Sequence, residues 1–238
     1  MFALGGKADI DGAGAAVGGR QKLHQQTDIK VPRISRVFRT HFSVKFMTRY
    51  AAAFHIREDG VKSLVGRYWT PLDALDGRSQ AERELFQQWL KAGHLIGIEG
   101  SVVRLEFVAR ETVRLSHQFK ILRIHYDRVY SADLRIALKD IGSTVELVDT
   151  SQGFLSFAPL VSNFIEAAVS GKVRHGGHPV LTAAVMGAAV VTDAAGGMKV
   201  DKGKSEGSAV CRVDPAVAAI MAAGAKRPPA REFMMTFI

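Results

Sequence analysis

Strand-like and helix-like segments alternate along most of this 238-residue chain, and that alternation limits its fold more than any other feature. The first two patterned segments, residues 42–56 and 61–68, are rich in aromatic and aliphatic residues and flank the turn signal Glu58, Asp59 and Gly60. The first segment predicts one strand or two, and the second predicts the returning strand. A hairpin of this kind followed by alternating strands and helices predicts a mixed α/β sheet flanked by helices.

The later segments separate by the spacing of their apolar residues. Helical spacing predicts helices over residues 78–92, 105–119, 131–141 and 159–170. Short apolar runs predict strands over residues 94–98, 121–126 and 144–148. Gly93 follows the first of these helices at the position where glycine commonly ends a helix in a left-handed conformation.

The ends of the chain differ from the patterned part. Six glycines crowd the first twenty positions and hydrophobic periodicity is absent there, so we expect residues 1–36 to be disordered. Residues 12–18 imitate a dinucleotide-binding loop, but they have one spacer too many and no strand precedes them. We therefore expect one domain over residues 37–225, followed by a loose tail over residues 226–238.

Charge and cysteine content narrow the class of function. Lys and Arg number 32 against 23 Asp and Glu, a formal charge of +9 that favours an acidic partner such as nucleic acid. Cys211 is the single cysteine, which excludes an internal disulfide and a cysteine-based zinc cluster. The longest apolar run, residues 180–191, is shorter than the roughly 20 residues that span a bilayer. We expect a cytoplasmic protein without a membrane segment.

Residues 171–222 carry the chemistry. A basic, strand-like start and a Gly-Gly turn lead into an apolar run, a glycine-rich turn and a loop with Lys199, Lys202 and Lys204. Asp214 then opens a helix of small residues. A carboxylate at a helix start behind a cationic loop suits a divalent metal close to phosphate, because hard cations take oxygen ligands and lysines hold polyanions. A helix N-cap remains the alternative for Asp214.

Two other patterns in this segment have weaker support. His175 and His178 have the H-x-x-H spacing of zinc ligands, but only Cys211 offers a further soft ligand, so we favour loop histidines that face solvent or phosphate. Residues 198–205 read MKVDKGKS, which is close to a phosphate-binding P-loop. Its first glycine is missing and its surroundings are poor in strand signals, which disfavours ATP binding.

The same stretch resembles the C-terminal end of the nuclease domain of tailed-phage terminase large subunits, and earlier segments extend the resemblance over roughly residues 37–224. The matching residues of the stretch are Gly171, Lys172, Arg174, His175, Gly176, Gly177, Pro179, Val180, Leu181, Lys202, Lys204, Ser205, Arg212 and Asp214. The earlier matches are Tyr68, Trp69, Pro71, Trp89, Gly93, Leu95, Tyr126, Asp127, Arg128, Gln152, Gly153 and Phe154.

The resemblance implies a ribonuclease H-like fold and an endonuclease that cuts double-stranded DNA during genome packaging. It implies one or two Mg²⁺ or Mn²⁺ ions held by Asp127 and Asp214. It also implies portal protein and the small terminase subunit as further partners. The phosphate contacts would come from Arg174, Lys199, Lys202, Lys204 and Arg212.

The chain departs from the family pattern at the first strand. His41 stands where the family carries its first metal-binding aspartate, and imidazole is a poor ligand for Mg²⁺. Residues 47–49, Ala183 and Pro215 depart as well. We expect a truncated prophage copy without the family's ATPase domain. Two alternatives stay open: a catalytically inactive DNA-binding remnant of the same fold, and another ribonuclease H-like nuclease that acts in recombination.

Overall fold

A computed structural model describes residues 39–45, 51–58, 61–126, 131–206 and 213–225. The predictions for residues 1–36, for the tail 226–238, and for Asp127, Cys211 and Arg212 lie outside these ranges. The strands are β1 Arg39–Lys45, β2 Ala51–Glu58, β3 Val61–Pro71, β4 Ile96–Ile98, β5 Lys120–Tyr126, β6 Glu146–Asp149, β7 Val173–Arg174, β8 Ala189–Thr192 and β9 Met198–Asp201. The α-helices are α1 Gln80–Lys91, α2 Leu105–Ser116, α3 Ser131–Asp140, α4 Phe154–Val169, α5 Pro179–Met186, α6 Lys202–Glu206 and α7 Asp214–Gly224.

Seven of the described strands form one mixed sheet in the order β4-β3-β2-β1-β5-β6, with β7 paired to the start of β3. Strand β2 is antiparallel to both β1 and β3, which makes the predicted hairpin a pair of adjacent strands. Strand β5 is parallel to β1 and β6 is parallel to β5. As a result β1, β3, β5 and β6 all end at the same edge of the sheet, which we call the carboxyl edge. Strands β8 and β9 form a separate antiparallel hairpin.

One face of the sheet is covered by α7, which contacts β1, β2 and β3 and also packs against α4 and α5. Every residue of α7 is buried. Its small side chains allow close packing: a methyl group added at Gly224 would lie 2.3 Å from the carbonyl oxygen of Leu160 in α4. Leu64 and Tyr68 of β3 belong to the apolar cluster that α7 completes with its alanines.

The opposite face is covered by α2 and α3, which pack against each other, and α2 contacts β5. An ion pair at 3.1 Å between Arg67 Nε and Glu111 Oε1 joins this face of β3 to α2. Ile124 and Tyr126 of β5 and Leu134 of α3 are fully buried. Helices on both faces of a mostly parallel sheet confirm the predicted α/β class.

Helix α1 has sequence signals at both of its ends. The Ser79 hydroxyl accepts from the Glu82 N–H, and the Glu82 carboxylate accepts from the Ser79 N–H, which together form a capping box. Gly93 has φ of 73° and follows the helix end, as predicted. Within the described residues, no helix combines the length and the apolar character that crossing a membrane requires.

Two helices differ from the prediction. Helix α4 begins at Phe154, five residues before the predicted start at Pro159. Pro159 is tolerated in the second turn of α4. It leaves the Leu155 carbonyl without a helical hydrogen-bond donor, but Leu155 is 94% exposed, so water can replace that donor. Helix α5 was not predicted within the apolar run 180–191; it begins at Pro179, where proline suits the first helical position.

Candidate metal and nucleic-acid site

The carboxyl edge collects the groups that follow the parallel strands. Tyr126 ends β5 and lies in register with Asp149, which ends β6. Asp127 follows Tyr126 directly in the sequence but lies outside the described residues, so its contacts are not defined here. Ligand and catalytic sites in open α/β sheets lie beyond the carboxyl ends of the strands, which makes this edge the candidate site.

Helix α7 directs Asp214 toward the same edge. The Lys62 ammonium, at the start of β3, donates to the Ala223 carbonyl at the far end of α7 over 2.6 Å. Asn163 Nδ2 donates to the Gly224 carbonyl over 2.9 Å. The first bond places the end of α7 at the start of β3, and the second joins it to α4. At the other end, Val213 belongs to the same packed cluster as Phe157, near the start of α4 and soon after the end of β6, so the helix runs back for about 15 Å toward the carboxyl edge.

Asp214 is the first residue of α7 and not its N-cap, so the N-cap alternative is wrong. Val213 occupies the N-cap position, and no side chain caps the helix. The Asp214 residue is only 3% exposed, and its Oδ1 atom has no hydrogen-bond partner among the described residues. Among the described residues, Asp214 forms an ion pair with Lys202, whose Nζ lies 3.5 Å from that oxygen.

A buried carboxylate oxygen without a hydrogen bond fits a divalent cation. Burying an unsatisfied charged group is costly, and an oxygen-preferring metal ion offsets that cost directly. The described residues contain no group of three or more His, Cys, Asp or Glu side chains with metal-binding geometry. Asp214 is therefore a possible single ligand of the candidate site among the described residues.

His41 lies on β1, where the pairing with β5 sets it level with Arg123. Arg123 precedes the end of β5 at Tyr126 by three residues, which is about 10 Å along a strand. The pairing with β2 sets His41 level with His55. The proposed metal ligand at position 41 thus lies on the strand next to β5, and its relation to Asp127 stays a prediction.

His125 is a buried polar residue of this edge that the sequence pattern did not single out. It is 7% exposed, and its Nδ1 lies 3.3 Å from the Thr150 hydroxyl. Burial, followed by the nearby positive charge of Arg123, lowers the pKa of His125 to about 4. A histidine two residues before Asp127, inside a predicted apolar strand, was the available signal.

Two of the predicted phosphate-binding lysines lie near Asp214. Lys202 begins α6 and pairs with Asp214. The Lys199 ammonium on β9 lies 4.5 Å from the centre of the Phe154 ring at the start of α4. Because the packed residues Phe157, Val213, Val217 and Val200 join α4, α7 and β9, these two cations and Asp214 belong to one region.

The other predicted cations are more distant or outside the described residues. Lys204 is exposed on α6, and its backbone N–H donates to Asp201 Oδ1 over 3.1 Å. Arg174 is exposed on β7 and lies beside Ser63, at the end of β3 opposite to the carboxyl edge. The backbone positions of Arg174 and Asp214 therefore lie at opposite ends of the sheet.

The two histidines of the H-x-x-H pair, which we expected to face solvent or phosphate, are half-buried, and a contact with phosphate stays a prediction. The His178 ring packs edge-on against Tyr68 at 4.9 Å and against His94 at 5.2 Å between ring centres. Burial lowers the pKa of His178 to about 4, with further contributions from His94, Arg67 and His175. Among the described residues these rings belong to no metal-binding group, and the ring contacts of His178 are packing contacts.

The P-loop-like residues 198–205 have a structural role. Strand β9 does precede α6, contrary to the strand-poor context expected from the sequence. The buried Ser205 hydroxyl accepts from the Ala189 N–H over 2.9 Å and donates to the Asp201 carbonyl. A serine that ties α6 to both strands of the hairpin is engaged by backbone groups, unlike the metal-binding serine of a P-loop.

Comparisons with known proteins identify the relatives of this chain. The model of the family "Terminase large subunit, endonuclease domain" matches residues 40–228. The large terminase subunit of Enterobacteria phage HK97 is 34% identical over 168 residues, which are 71% of this chain and 32% of that protein. The crystal structure of the HK97 large terminase is similar with a TM-score of 0.72 and 31% identity, over 81% of this chain and 40% of that one. This chain therefore spans about a third of its relative's length.

Proposed function

Because this chain belongs to the endonuclease-domain family of terminase large subunits, with the ribonuclease H-like fold of those nucleases, we propose that it cuts double-stranded DNA for phage genome packaging. The observation that carries the proposal is the buried Asp214 carboxylate, which lies at the carboxyl edge with one oxygen lacking a hydrogen bond. Such a nuclease would act on phage or prophage DNA in the host cytoplasm, and a portal protein and a small terminase subunit would be its partners.

Asp127 and Asp214 are the residues that would hold one or two Mg²⁺ or Mn²⁺ ions, with His41 as a third ligand. Next to a scissile phosphate, such ions would supply an activated water and stabilisation of the leaving oxygen. Asp214 suits this role because it is the first residue of α7, a helix whose residues are all buried. A carboxylate held on a rigid element keeps its ligand geometry without reorganisation.

The cations of the hairpin and α6 would hold the DNA backbone. Lys199 and Lys202 lie in the same region as Asp214, and Lys204 is exposed on the same short helix as Lys202. Arg212 and Arg174 complete the proposed phosphate contacts. Each phosphate contact releases counterions, so the logarithm of the duplex affinity should fall linearly with the logarithm of salt concentration, with a slope of about −0.9 for each contact.

Plasmid nicking with Mn²⁺ tests this function. We expect nicking by the unaltered chain and its loss in Asp127→Ala and in Asp214→Ala. Asp140→Ala is the matched control, since Asp140 is an exposed aspartate at the end of α3 and is not among the proposed metal ligands. Nicking that survives in Asp214→Ala, or that is lost equally in the Asp140→Ala control, would contradict the proposed site.

A second candidate function is a DNA-binding remnant without catalysis. The observation in its favour is His41, a residue with a poor affinity for Mg²⁺ that lies level with the cationic Arg123 on β5. Duplex binding that is salt-dependent, unchanged by metal and never followed by cleavage would favour the remnant. Cleavage that prefers branched over linear DNA would instead favour a recombination nuclease of the same fold.

A further inference from the structure

The ion pair between Lys202 and Asp214 joins two groups with very different access to solvent. The Asp214 side chain is 4% exposed, whereas the Lys202 side chain is 31% exposed. Lys202 is the first residue of α6, directly after β9, and its long side chain reaches Asp214 across twelve positions of sequence. The carboxylate is therefore fixed and buried, while the ammonium can also reach the surface.

Because of this difference in exposure, the Asp214 carboxylate has a larger desolvation cost than the Lys202 ammonium. An isolated carboxylate in a buried position is strongly unfavourable, and the adjacent ammonium supplies the compensating charge. A lysine with about a third of its side chain exposed can exchange one partner for another, because water solvates its head group during the exchange. The 3.5 Å separation is an ion contact without hydrogen-bond geometry, which leaves the pair open to replacement.

The other lysines of this region have different neighbours. The Lys199 ammonium lies over the Phe154 ring, and a cation–π contact of this kind needs no carboxylate. Lys204 is exposed, and the bond to Asp201 comes from its backbone and not from its ammonium. Among the described cations, Lys202 is the one that forms an ion pair with Asp214.

We propose that Lys202 is an exchangeable counter-ion for Asp214, and this inference rests on the proposed metal-dependent nuclease function. Its ammonium neutralises the buried carboxylate when no metal ion is bound. A divalent ion at Asp214 repels the ammonium, which then turns outward to a DNA phosphate. Metal binding and DNA binding are thereby coupled through one side chain, and each strengthens the other.

Mn²⁺ titration by calorimetry, without DNA, tests the exchange directly. Lys202→Met removes the competing ammonium, so we expect its Mn²⁺ affinity to rise about fivefold, the factor that corresponds to an ion pair worth about 1 kcal/mol. Lys204→Met is the matched control, because it removes the same charge from the same helix, and its Mn²⁺ affinity should stay within about twofold of the unaltered chain. In duplex-binding assays, the gain in affinity on adding Mn²⁺ should be smaller for Lys202→Met than for Lys204→Met.

Thermal unfolding keeps the test informative if Lys202→Met is poorly stable. Without metal, Lys202→Met should melt below Lys204→Met, because its buried carboxylate has lost its counter-charge. Saturating Mn²⁺, or the second substitution Asp214→Asn, should restore most of the lost melting temperature.

The possible results separate this inference from the proposed function. Equal Mn²⁺ affinities in Lys202→Met and Lys204→Met would overturn the exchange while the nuclease function stands. Absence of Mn²⁺ binding by the unaltered chain would overturn both. A tighter Mn²⁺ affinity in Lys202→Met alone, together with rescue of its melting temperature, supports the exchange.

Discussion

Neutralising Asp214 should make the protein more stable while abolishing metal-dependent cleavage. The carboxylate is 3% exposed and its Oδ1 accepts no hydrogen bond from the described residues, a defect that costs about 1–3 kcal/mol. Two interactions offset part of that cost: the ion pair with Lys202, at about 0–1 kcal/mol, and the favourable position at a helix N-terminus, at about 0.3–1 kcal/mol. Asp214→Asn should therefore gain about 1 kcal/mol.

The gain is measurable by thermal unfolding in a metal-free buffer. For a domain of this size, about 1 kcal/mol raises the melting temperature by about 2–4 °C. Asp140→Asn, an exposed position on α3, is the control and should leave the melting temperature unchanged. If Asp214→Asn instead loses 1 kcal/mol or more, the carboxylate is a structural partner of Lys202, and the reasoning that treats it as a destabilised metal ligand is refuted.

Three further predictions concern packing, pH and the first strand. Gly66→Ala should lose about 1–3 kcal/mol in chemical denaturation, because the added methyl would lie 2.0 Å from the hydroxyl of the buried Tyr68, whereas Gly77→Ala, with nothing within 4 Å, should be neutral. The fold lowers the pKa of His178 from its ordinary 6.5 to about 4, so the stability that neutral His178 contributes is complete above pH 6.5 and is lost as pH falls toward 4. His178→Gln should therefore flatten the plot of melting temperature against pH over this range. An unchanged plot would contradict the assignment. His41→Asp should raise Mg²⁺-supported nicking by about one to two orders of magnitude, and an unchanged rate would remove position 41 from the site.

The sequence could predict the sheet because each strand has a local signal. Segments rich in aromatic and aliphatic residues and the turn signal at residues 58–60 defined the β2–β3 hairpin, and compact apolar runs defined β5 and β6. Local signals were insufficient for a short helix whose own side chains are apolar on every side. Helix α5 has apolar residues on all sides, so it lacks the amphipathic period that would distinguish it from a buried strand.

The site could be predicted only as far as residue types and chain positions allow. Asp214 was found from its place at a helix start, but its burial depends on α7 packing against three strands and two helices. The contact between Lys202 and Asp214, and the half-burial of His178 against Tyr68, join segments that are distant in sequence. Such contacts depend on tertiary packing, which local periodicity does not encode.

Affinity cleavage by Fe²⁺ would locate the bound metal most directly. Fe²⁺ can occupy sites built for other divalent ions, and with ascorbate and peroxide it produces radicals that cut the nearby backbone. Mass spectrometry of the fragments should find cuts close to Asp127 and Asp214, and both should disappear with excess Mn²⁺ or in Asp214→Asn. Cuts centred instead on His175 and His178, or cuts at Asp214 that neither Mn²⁺ nor the substitution suppresses, would contradict a nuclease metal site at the carboxyl edge.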